Sequence, residues 1–315
     1  MNVIVIGNQG VGKTSMIAAL AEATISEKNK NVRVYNAENL LEQITSYPYV
    51  NNSKDDDFSS DNGTLSQPLG EFKQTKITSN NPEKEGVSVD SYKEIFSQPV
   101  SQIKQKKIYE IAGTSGLQAP RSLSLSVDLP AGAGKKIRVD WIDTPGEAWS
   151  VPIWRKRNPE PYKKLVETVS NSQAVILLVP PYTRSKRKTA STDNSNPSDQ
   201  LDVETWRTQL ENWLTFMRKN CSNVKHFVIA MHKADLLGYD LEKDHENWEY
   251  NRQKGKLINW FDYNQHIKET YFDLAYDIIR DHNKQPPFLA PRLFVTSTKN
   301  SNLLELPWVY LGSQS

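Results

Sequence analysis

The chain has 315 residues, and 39 Lys and Arg against 37 Asp and Glu give a net charge of +2, too small to attract nucleic acid or an anionic membrane globally. Its single cysteine, Cys221, excludes an intrachain disulfide and a cysteine-rich zinc site and is typical of a reducing compartment. No signal peptide, lipidation motif or apolar run of about 18 residues is present. We therefore expect a cytoplasmic protein with no direct membrane anchor and no nucleic-acid partner.

The first predicted strand, Val3 to Ile6, leads into a phosphate-loop pattern and then a helix from Thr14 to Ile25. Glycines let such a loop curl so that its N–H groups face phosphate oxygens, the lysine neutralises the β and γ phosphates, and the threonine hydroxyl ligates Mg²⁺. We expect phosphate contacts from Gly7, Gln9, Gly10, Val11, Gly12, Lys13, Thr14 and Ser15, with Thr14 as the magnesium ligand.

Two polar stretches interrupt the pattern of strands and helices. Residues 49–107 are rich in Asn, Ser, Asp, Lys and Gln with almost no apolar periodicity, which predicts a mobile insertion within a single domain of residues 1–315. Residues 183–200 contain Arg184, Lys186, Arg187 and Lys188 and predict a basic surface loop. We favour solvation of this loop, the alternative being that it docks an acidic partner or phosphate.

Between these stretches the sequence predicts a β-hairpin that ends in a second phosphate-related motif. Apolar residues alternate from Leu123 to Leu129, the segment 130–134 turns the chain, and alternation resumes from Ile137 to Trp141. The motif that follows is Asp143-Thr144-Pro145-Gly146. We expect Asp143 to hold Mg²⁺ through water and the Gly146 N–H to face the γ-phosphate.

The second half of the chain continues the alternation of strands and helices, which predicts a layered α/β sheet. Short apolar runs typical of buried parallel strands are Ala174 to Pro180, His226 to Met231 and Arg292 to Val295. Helical spacing relates the apolar residues of two segments, Val203 to Met217 and Leu257 to Leu274. We interpret their Trp and Tyr stripes as core, with a partner surface as the alternative.

Two further motifs follow the last two predicted strands and point to a guanine base. In the first, the carboxylate of Asp235 can accept hydrogen bonds from both the N1–H and the amino group of guanine, a pair that adenine lacks. The stem of Lys233 can lie over the base, and a backbone N–H near Thr298 can donate to the guanine carbonyl. The predicted guanine-binding residues are His232, Lys233, Asp235, Ser297, Thr298 and Lys299.

The four motifs in this order resemble the Ras-like GTPases of the translation-factor-related P-loop class. The resemblance implies an α/β P-loop NTPase fold with three α/β/α layers, a mostly parallel six-stranded sheet and one antiparallel edge strand. It also implies a switch threonine that closes on Mg²⁺ and the γ-phosphate. Thr114 is the best candidate, and Thr75, Thr78 and Ser115 remain open. The sequence around Asp143 is also similar to bacterial GTPases of multigene regulatory or conflict systems, which favours a prokaryotic member.

Departures from the family pattern predict slow hydrolysis. His232 stands where the family has Asn, as in Rag-like GTPases, and Glu147 stands where Ras-like proteins orient water with Gln. Gln9 occupies a position where Ras has glycine. We take Lys13 and Glu147 as the candidate catalytic residues. An activating arginine can come from a partner or from Arg121, Arg155 or Arg157.

The segment after Lys299 looks too short for the amphipathic final helix of the family, so we expect a partner chain or the insertion to cover that face of the sheet. The favoured function is a Mg²⁺-dependent, GTP- and GDP-binding molecular switch that controls the binding of a protein effector or complex. One alternative is a non-hydrolysing scaffold of a larger complex. Another is an ATPase of a different P-loop branch, which would leave Asp235 without a role.

Overall fold

The apolar residues after Met1 form strand β1 (Asn2–Gly7) in the centre of a sheet. The computed structural model describes residues 1–8, 10–28, 31–45, 121–127, 135–141, 152–183, 200–237, 241, 248, 257–284 and 290–314. These residues all fall within one compact unit, Met1–Tyr47 together with Ile108–Ser315. The predicted insertion at 49–107 and nearly all of the predicted loop at 183–200 lie outside the described residues.

Besides β1, the described strands of the sheet are β2 (Val32–Val34), β3 (Arg121–Val127), β4 (Lys135–Trp141), β5 (Ala174–Val179), β8 (His226–His232) and β9 (Arg292–Thr296). The order of these seven strands across the sheet is β2-β3-β4-β1-β5-β8-β9. Parallel pairing joins β4 to β1, β1 to β5, β5 to β8 and β8 to β9. The side chains of β5 are buried on both faces, as the continuous apolar run predicted, so other elements must cover both sides of the sheet centre.

The prediction of six strands with an antiparallel strand at the edge is wrong in two details. A seventh strand, β2, pairs antiparallel with the outer side of β3, whose other side pairs antiparallel with β4. The one antiparallel strand, β3, is therefore second from the edge. Three residues, Val32-Arg33-Val34, are too few to show strand periodicity in the sequence, although their burial does alternate.

The three helices predicted from apolar spacing are confirmed as α1 (Lys13–Ile25), α5 (Val203–Asn220) and α6 (Trp260–Tyr271). The core interpretation holds for Trp206, Trp213 and Tyr271, which are buried. Leu257 and Phe261 belong to the same helical spacing pattern but are 66% and 72% exposed, so they lie outside the core. Further elements are α2 (Ala37–Thr45), α3 (Pro152–Arg157), α4 (Pro159–Ser170), α7 (Tyr276–Asn283), and a small parallel pair, β6 (Tyr182–Thr183) with β7 (Leu201–Asp202). None of the described helices is both long enough and apolar enough to cross a bilayer.

The expectation that the chain lacks a final helix is wrong. Residues Ser301–Ser313 form helix α8, which begins at an N-cap where the Asn300 side chain accepts a hydrogen bond from the Leu303 N–H at 3.2 Å. All side chains from Leu303 to Leu311 are buried, and the helix contacts α1, β2, β3, β4, β8 and β9. The buried side chains point to every side of the helix and all but Glu305 are apolar, so no amphipathic stripe marks it in the sequence. The chain thus covers this face of the sheet itself.

Candidate nucleotide-binding site

Three loops that follow parallel strands carry most of the predicted site residues that the structure describes. They follow β1, β8 and β9, and His232 at the end of β8 lies in register with Thr296 at the end of β9. Because parallel strands end at the same edge of a sheet, these loops share one edge. In open α/β sheets, ligands bind in the crevice outside that edge.

The loop after β1 has the backbone shape of a phosphate cradle. Gly10 and Gly12 have φ angles of 72° and 95°, which L side chains rarely adopt. The Lys13 side chain is buried and folds back across the loop, where its Nζ donates to the carbonyl oxygens of Gly7 and Asn8, each at 3.0 Å. Helix α1 starts at Lys13 with no acidic residue in its first turn and no side-chain cap, an arrangement that suits an anionic ligand at its N-terminus.

Helix α5 anchors this loop through Asn8. The side-chain amide nitrogen of Asn8 donates to Gln209 Oε1 at 2.5 Å. The side-chain oxygen Oδ1 of Asn8 accepts from Trp213 Nε1 at 3.2 Å. Gln209 and Trp213 lie four residues apart, so they share one face of α5. Sequence reasoning did not assign these three residues to the site, because Asn8 occupies a variable position of the motif and its partners are some 200 residues away.

Gly12 connects the phosphate loop to the end of β8. A β-carbon placed on Gly12 would lie 2.6 Å from His232 Cδ2, 2.9 Å from His232 Nε2 and 3.7 Å from Lys233 Cε. The two distances to His232 are far below van der Waals contact, so only glycine lets the two loops approach this closely. The Lys233 backbone also has a left-handed φ of 60°, which turns the chain away from β8 towards Asp235.

His232 is a buried, neutral side chain. Its Nδ1 lies 2.9 Å from Thr296 Oγ1, and its Nε2 has no hydrogen-bond partner among the described residues. Burial is the main cause that lowers the pKa of His232 from 6.5 to about 4, the positive charge of Lys233 acts in the same direction, and Asp235 opposes them. The imidazole is therefore uncharged at pH 7.

Asp235 is held by the loop that follows β9. Its Oδ1 accepts from Ser297 Oγ at 2.7 Å, and its Oδ2 lies 2.8 Å from Lys299 Nζ. The Lys299 N–H in turn donates to Ser297 Oγ at 3.1 Å. Burial acts to raise the pKa of Asp235, but the hydrogen bonds from Lys299 and Ser297 together outweigh it and hold the pKa below its usual value. The carboxylate is ionised and oriented.

The structure thus brings most of the predicted residues to one edge of the sheet. Thr14 and Ser15 lie in the first turn of α1, and Thr298 lies in the loop between β9 and α8. Among the described residues no cluster of three His, Cys, Asp or Glu side chains can hold a metal ion, and Thr14 is the one predicted magnesium ligand within them. The remaining candidates, Gln9, Thr114, Asp143, Gly146 and Glu147 with the alternatives Thr75, Thr78 and Ser115, lie outside the described residues.

The three candidate arginines differ in what the structure says of them. Arg155 lies over the Tyr162 ring, with its guanidinium carbon 5.3 Å from the ring centroid. Arg157 is an exposed residue at the end of α3, and the side chain of Arg121 at the start of β3 is outside the described residues. The described contacts therefore give none of them a position at the site.

No protein-family model matches this chain, and no curated protein matches it. Among solved structures it is similar to the crystal structure of the S. cerevisiae Ski7 GTPase-like domain, bound to GDP and inorganic phosphate. The two chains share 14% sequence identity with a TM-score of 0.34, over 97% of this chain and 43% of that one. This chain therefore aligns with less than half of its structural neighbour. So low a score assigns neither family nor ligand, and the geometry of the three loops has to carry any functional proposal.

Proposed function

We propose that this chain is a guanine-nucleotide-binding protein that binds GTP and GDP with Mg²⁺ and hydrolyses GTP slowly. The observation that carries the proposal is the contact between Gly12 and His232. This contact joins a loop suited to phosphates to the strand that leads into Asp235, a residue suited to guanine. A nucleotide needs contacts to its phosphates and contacts to its base within its own length. The loops that would supply these contacts meet at Gly12 and His232.

On the phosphate side, the backbone shape and the charge both support an anionic ligand. The left-handed glycines, Gly10 and Gly12, allow backbone N–H groups to converge, as in phosphate-binding nests. The ammonium of Lys13 is held against the loop carbonyls and supplies a positive charge for the β and γ phosphates. The hydroxyl of Thr14 would help to hold Mg²⁺, and the ion would supply positive charge that neutralises the phosphates.

On the base side, Asp235 supports selectivity for guanine over adenine. An ionised carboxylate is a pure acceptor with two oxygens, which matches the adjacent N1–H and amino donors of guanine. Adenine presents an unprotonated ring nitrogen beside its amino group, so it would leave one oxygen facing a lone pair. The hydrogen bond from Ser297 fixes the direction of the carboxylate and so reduces the entropy lost on binding.

Hydrolysis and switching are the further part of the proposal. They rest on Thr114, Asp143, Gly146 and Glu147, which would close around the γ-phosphate and release it after cleavage, with partner binding as the output. Single-turnover release of phosphate from bound GTP tests this part. A rate above that of free GTP that changes in Glu147→Gln supports an enzyme, and binding without release supports the non-hydrolysing scaffold.

Calorimetric titration of nucleotide-free protein with GDP, GTP, ADP and ATP in the presence of Mg²⁺ tests the binding itself. We expect guanine nucleotides to bind at least about tenfold more tightly than adenine nucleotides, a difference of about 1.4 kcal/mol. Asp235→Ala should abolish this preference, and Lys13→Ala should weaken every nucleotide. Asp281→Ala, which removes an aspartate paired with Lys284 on α7, is the matched control and should retain the preference. Equal or tighter binding of ATP, or no binding at all, would disprove the proposal.

A further inference from the structure

The two oxygens of Asp235 receive their hydrogen bonds from opposite environments. Ser297, which donates to Oδ1, is fully buried, so it reaches the carboxylate from the protein interior. Lys299, whose ammonium lies on Oδ2, has a side chain that is 62% exposed, so it reaches the carboxylate from the solvent side. The side chain of Asp235 itself retains only 19% exposure. The carboxylate is therefore mostly buried, and the exposed Lys299 side chain lies on its Oδ2.

Resting on the guanine-binding function proposed above, we infer that the ion pair between Lys299 and Asp235 is a latch that competes with the base. A purine enters from solvent and needs both carboxylate oxygens for its N1–H and amino donors. The Lys299 ammonium occupies one of these acceptors, on the side from which the base arrives. It must leave before guanine binds with both hydrogen bonds.

Ser297 takes no part in this competition. It approaches Asp235 from behind, and its own hydroxyl oxygen accepts from the Lys299 backbone N–H at 3.1 Å, so it stays in place when the Lys299 side chain moves. The latch thus opens when the Lys299 side chain rotates away from Asp235. The Lys299 backbone stays in place because its N–H is hydrogen-bonded to the Ser297 hydroxyl. One residue, Lys299, contributes a fixed backbone donor and a movable ammonium.

The exposure of Lys299 sets the strength of the latch. Ion pairs with one exposed partner contribute little, because water solvates the free ammonium and salt screens the pair. Displacing such a pair reduces the affinity for guanine about two- to fivefold. Simple charge effects have the opposite sign, because removing a lysine from the neighbourhood of an anionic ligand lowers its affinity. An increase in affinity on removing Lys299 is therefore diagnostic of the latch.

The test is calorimetric titration of the full chain with GDP and Mg²⁺, comparing the wild type with Lys299→Met. Methionine keeps an apolar stem and removes the ammonium, so any packing of the stem on the base is retained. We expect Lys299→Met to bind GDP about two- to fivefold more tightly. The gain should shrink at high salt and be absent with ADP. Lys299→Arg, which keeps the positive charge, should not show it.

Lys284→Met is the matched control, because Lys284 is also an exposed lysine whose ammonium lies 3.5 Å from Asp281 Oδ1, and it caps the end of α7, outside the three loops of the candidate site. It reports the loss of one charge and should show no gain. Unchanged or weaker GDP binding by Lys299→Met, in a wild type that prefers guanine, overturns the latch alone. If wild type and variant both fail to bind GDP, the proposed function is wrong and the latch is wrong with it.

Discussion

Gly12 lies so close to the ring of His232 that even one added methyl group would overlap it, at 2.6 Å from Cδ2. The contact joins residues 220 positions apart in the chain, one from the phosphate loop and one from the end of β8. Its closeness gives each of the two residues a measurable role. Variants of Gly12 and of His232 therefore test these roles separately.

Gly12→Ala should destabilise the protein by about 2–4 kcal/mol, because it combines a left-handed backbone with an overlap in a packed region. Gly10→Ala is the matched comparison. Its φ is also positive, but nothing lies within 4 Å of its added β-carbon, so it should cost only about 1–2 kcal/mol. Urea unfolding of the two variants measures the difference.

The double variant Gly12→Ala with His232→Ala controls for the source of this difference. Removing the ring should relieve the overlap, so the added cost of Gly12→Ala in that background should fall to the Gly10→Ala value. If the cost stays the same in both backgrounds, the imidazole contact does not explain why glycine is needed at this position.

His232 should make stability fall as the pH falls from about 6.5 to about 4. Its folded pKa of about 4 lies below the unfolded value of 6.5, so the unfolded state binds the proton first and each lost pH unit costs up to about 1.4 kcal/mol. His232→Asn lacks the titrating group. The unfolding free energies of the two proteins, measured between pH 4 and pH 8, should therefore differ in slope below pH 6.5, and parallel curves would contradict a buried neutral histidine.

Ser297→Ala should weaken GDP binding about tenfold while ADP binding stays the same. The hydroxyl donates to Asp235 and accepts from the Lys299 N–H, so its loss frees the carboxylate and loosens the loop after β9. The control is Ser313→Ala, which removes a hydroxyl that donates a hydrogen bond to the backbone carbonyl oxygen of Tyr310 at the end of α8. Equal loss for GDP and ADP would assign Ser297 to the fold and not to base selection.

Glu305→Ala should cost about 2–4 kcal/mol in unfolding free energy, because the buried carboxylate accepts from the Asn31 backbone N–H and from its side-chain amide, at 3.2 Å and 3.0 Å to Oε2. Glu305→Gln retains a carbonyl acceptor and should cost less. Chemical denaturation measures both, with the exposed Glu160→Ala on α4 as reference. A neutral Glu305→Ala would mean that α8 does not depend on this link to the start of β2.

The sequence could predict the parts of the fold and site that short-range patterns encode. The strands β1, β5, β8 and β9 are continuous apolar runs, and the strand and helix on either side of Lys13 support the phosphate-loop pattern. Each motif shows its chemistry within about eight residues, so Asp235 and Lys13 were both recognisable as candidates. Parallel strand order then brings their loops to one edge.

Features that depend on long-range packing were missed. The pairs Asn8 with Trp213, Gly12 with His232 and Lys299 with Asp235 are visible only once distant loops meet. Helix α8 is not evident from the sequence for a different reason, because its buried side chains are nearly all apolar and Pro307 is a typical helix breaker. Phe261 matches the helical spacing of buried neighbours but faces solvent, since spacing alone does not fix the width of a buried stripe.

The buried position of α8 also affects how this protein can be made. Every strand that α8 contacts precedes it in the chain, so a ribosome that has synthesised the whole sheet has not yet synthesised the helix that shields it. During that interval a nascent chain exposes an apolar surface of the kind that hydrophobic-binding chaperones recognise. The packing of α8 onto the sheet must therefore wait until translation has passed Leu311. A chain stalled before Ser301 is a candidate for aggregation or degradation.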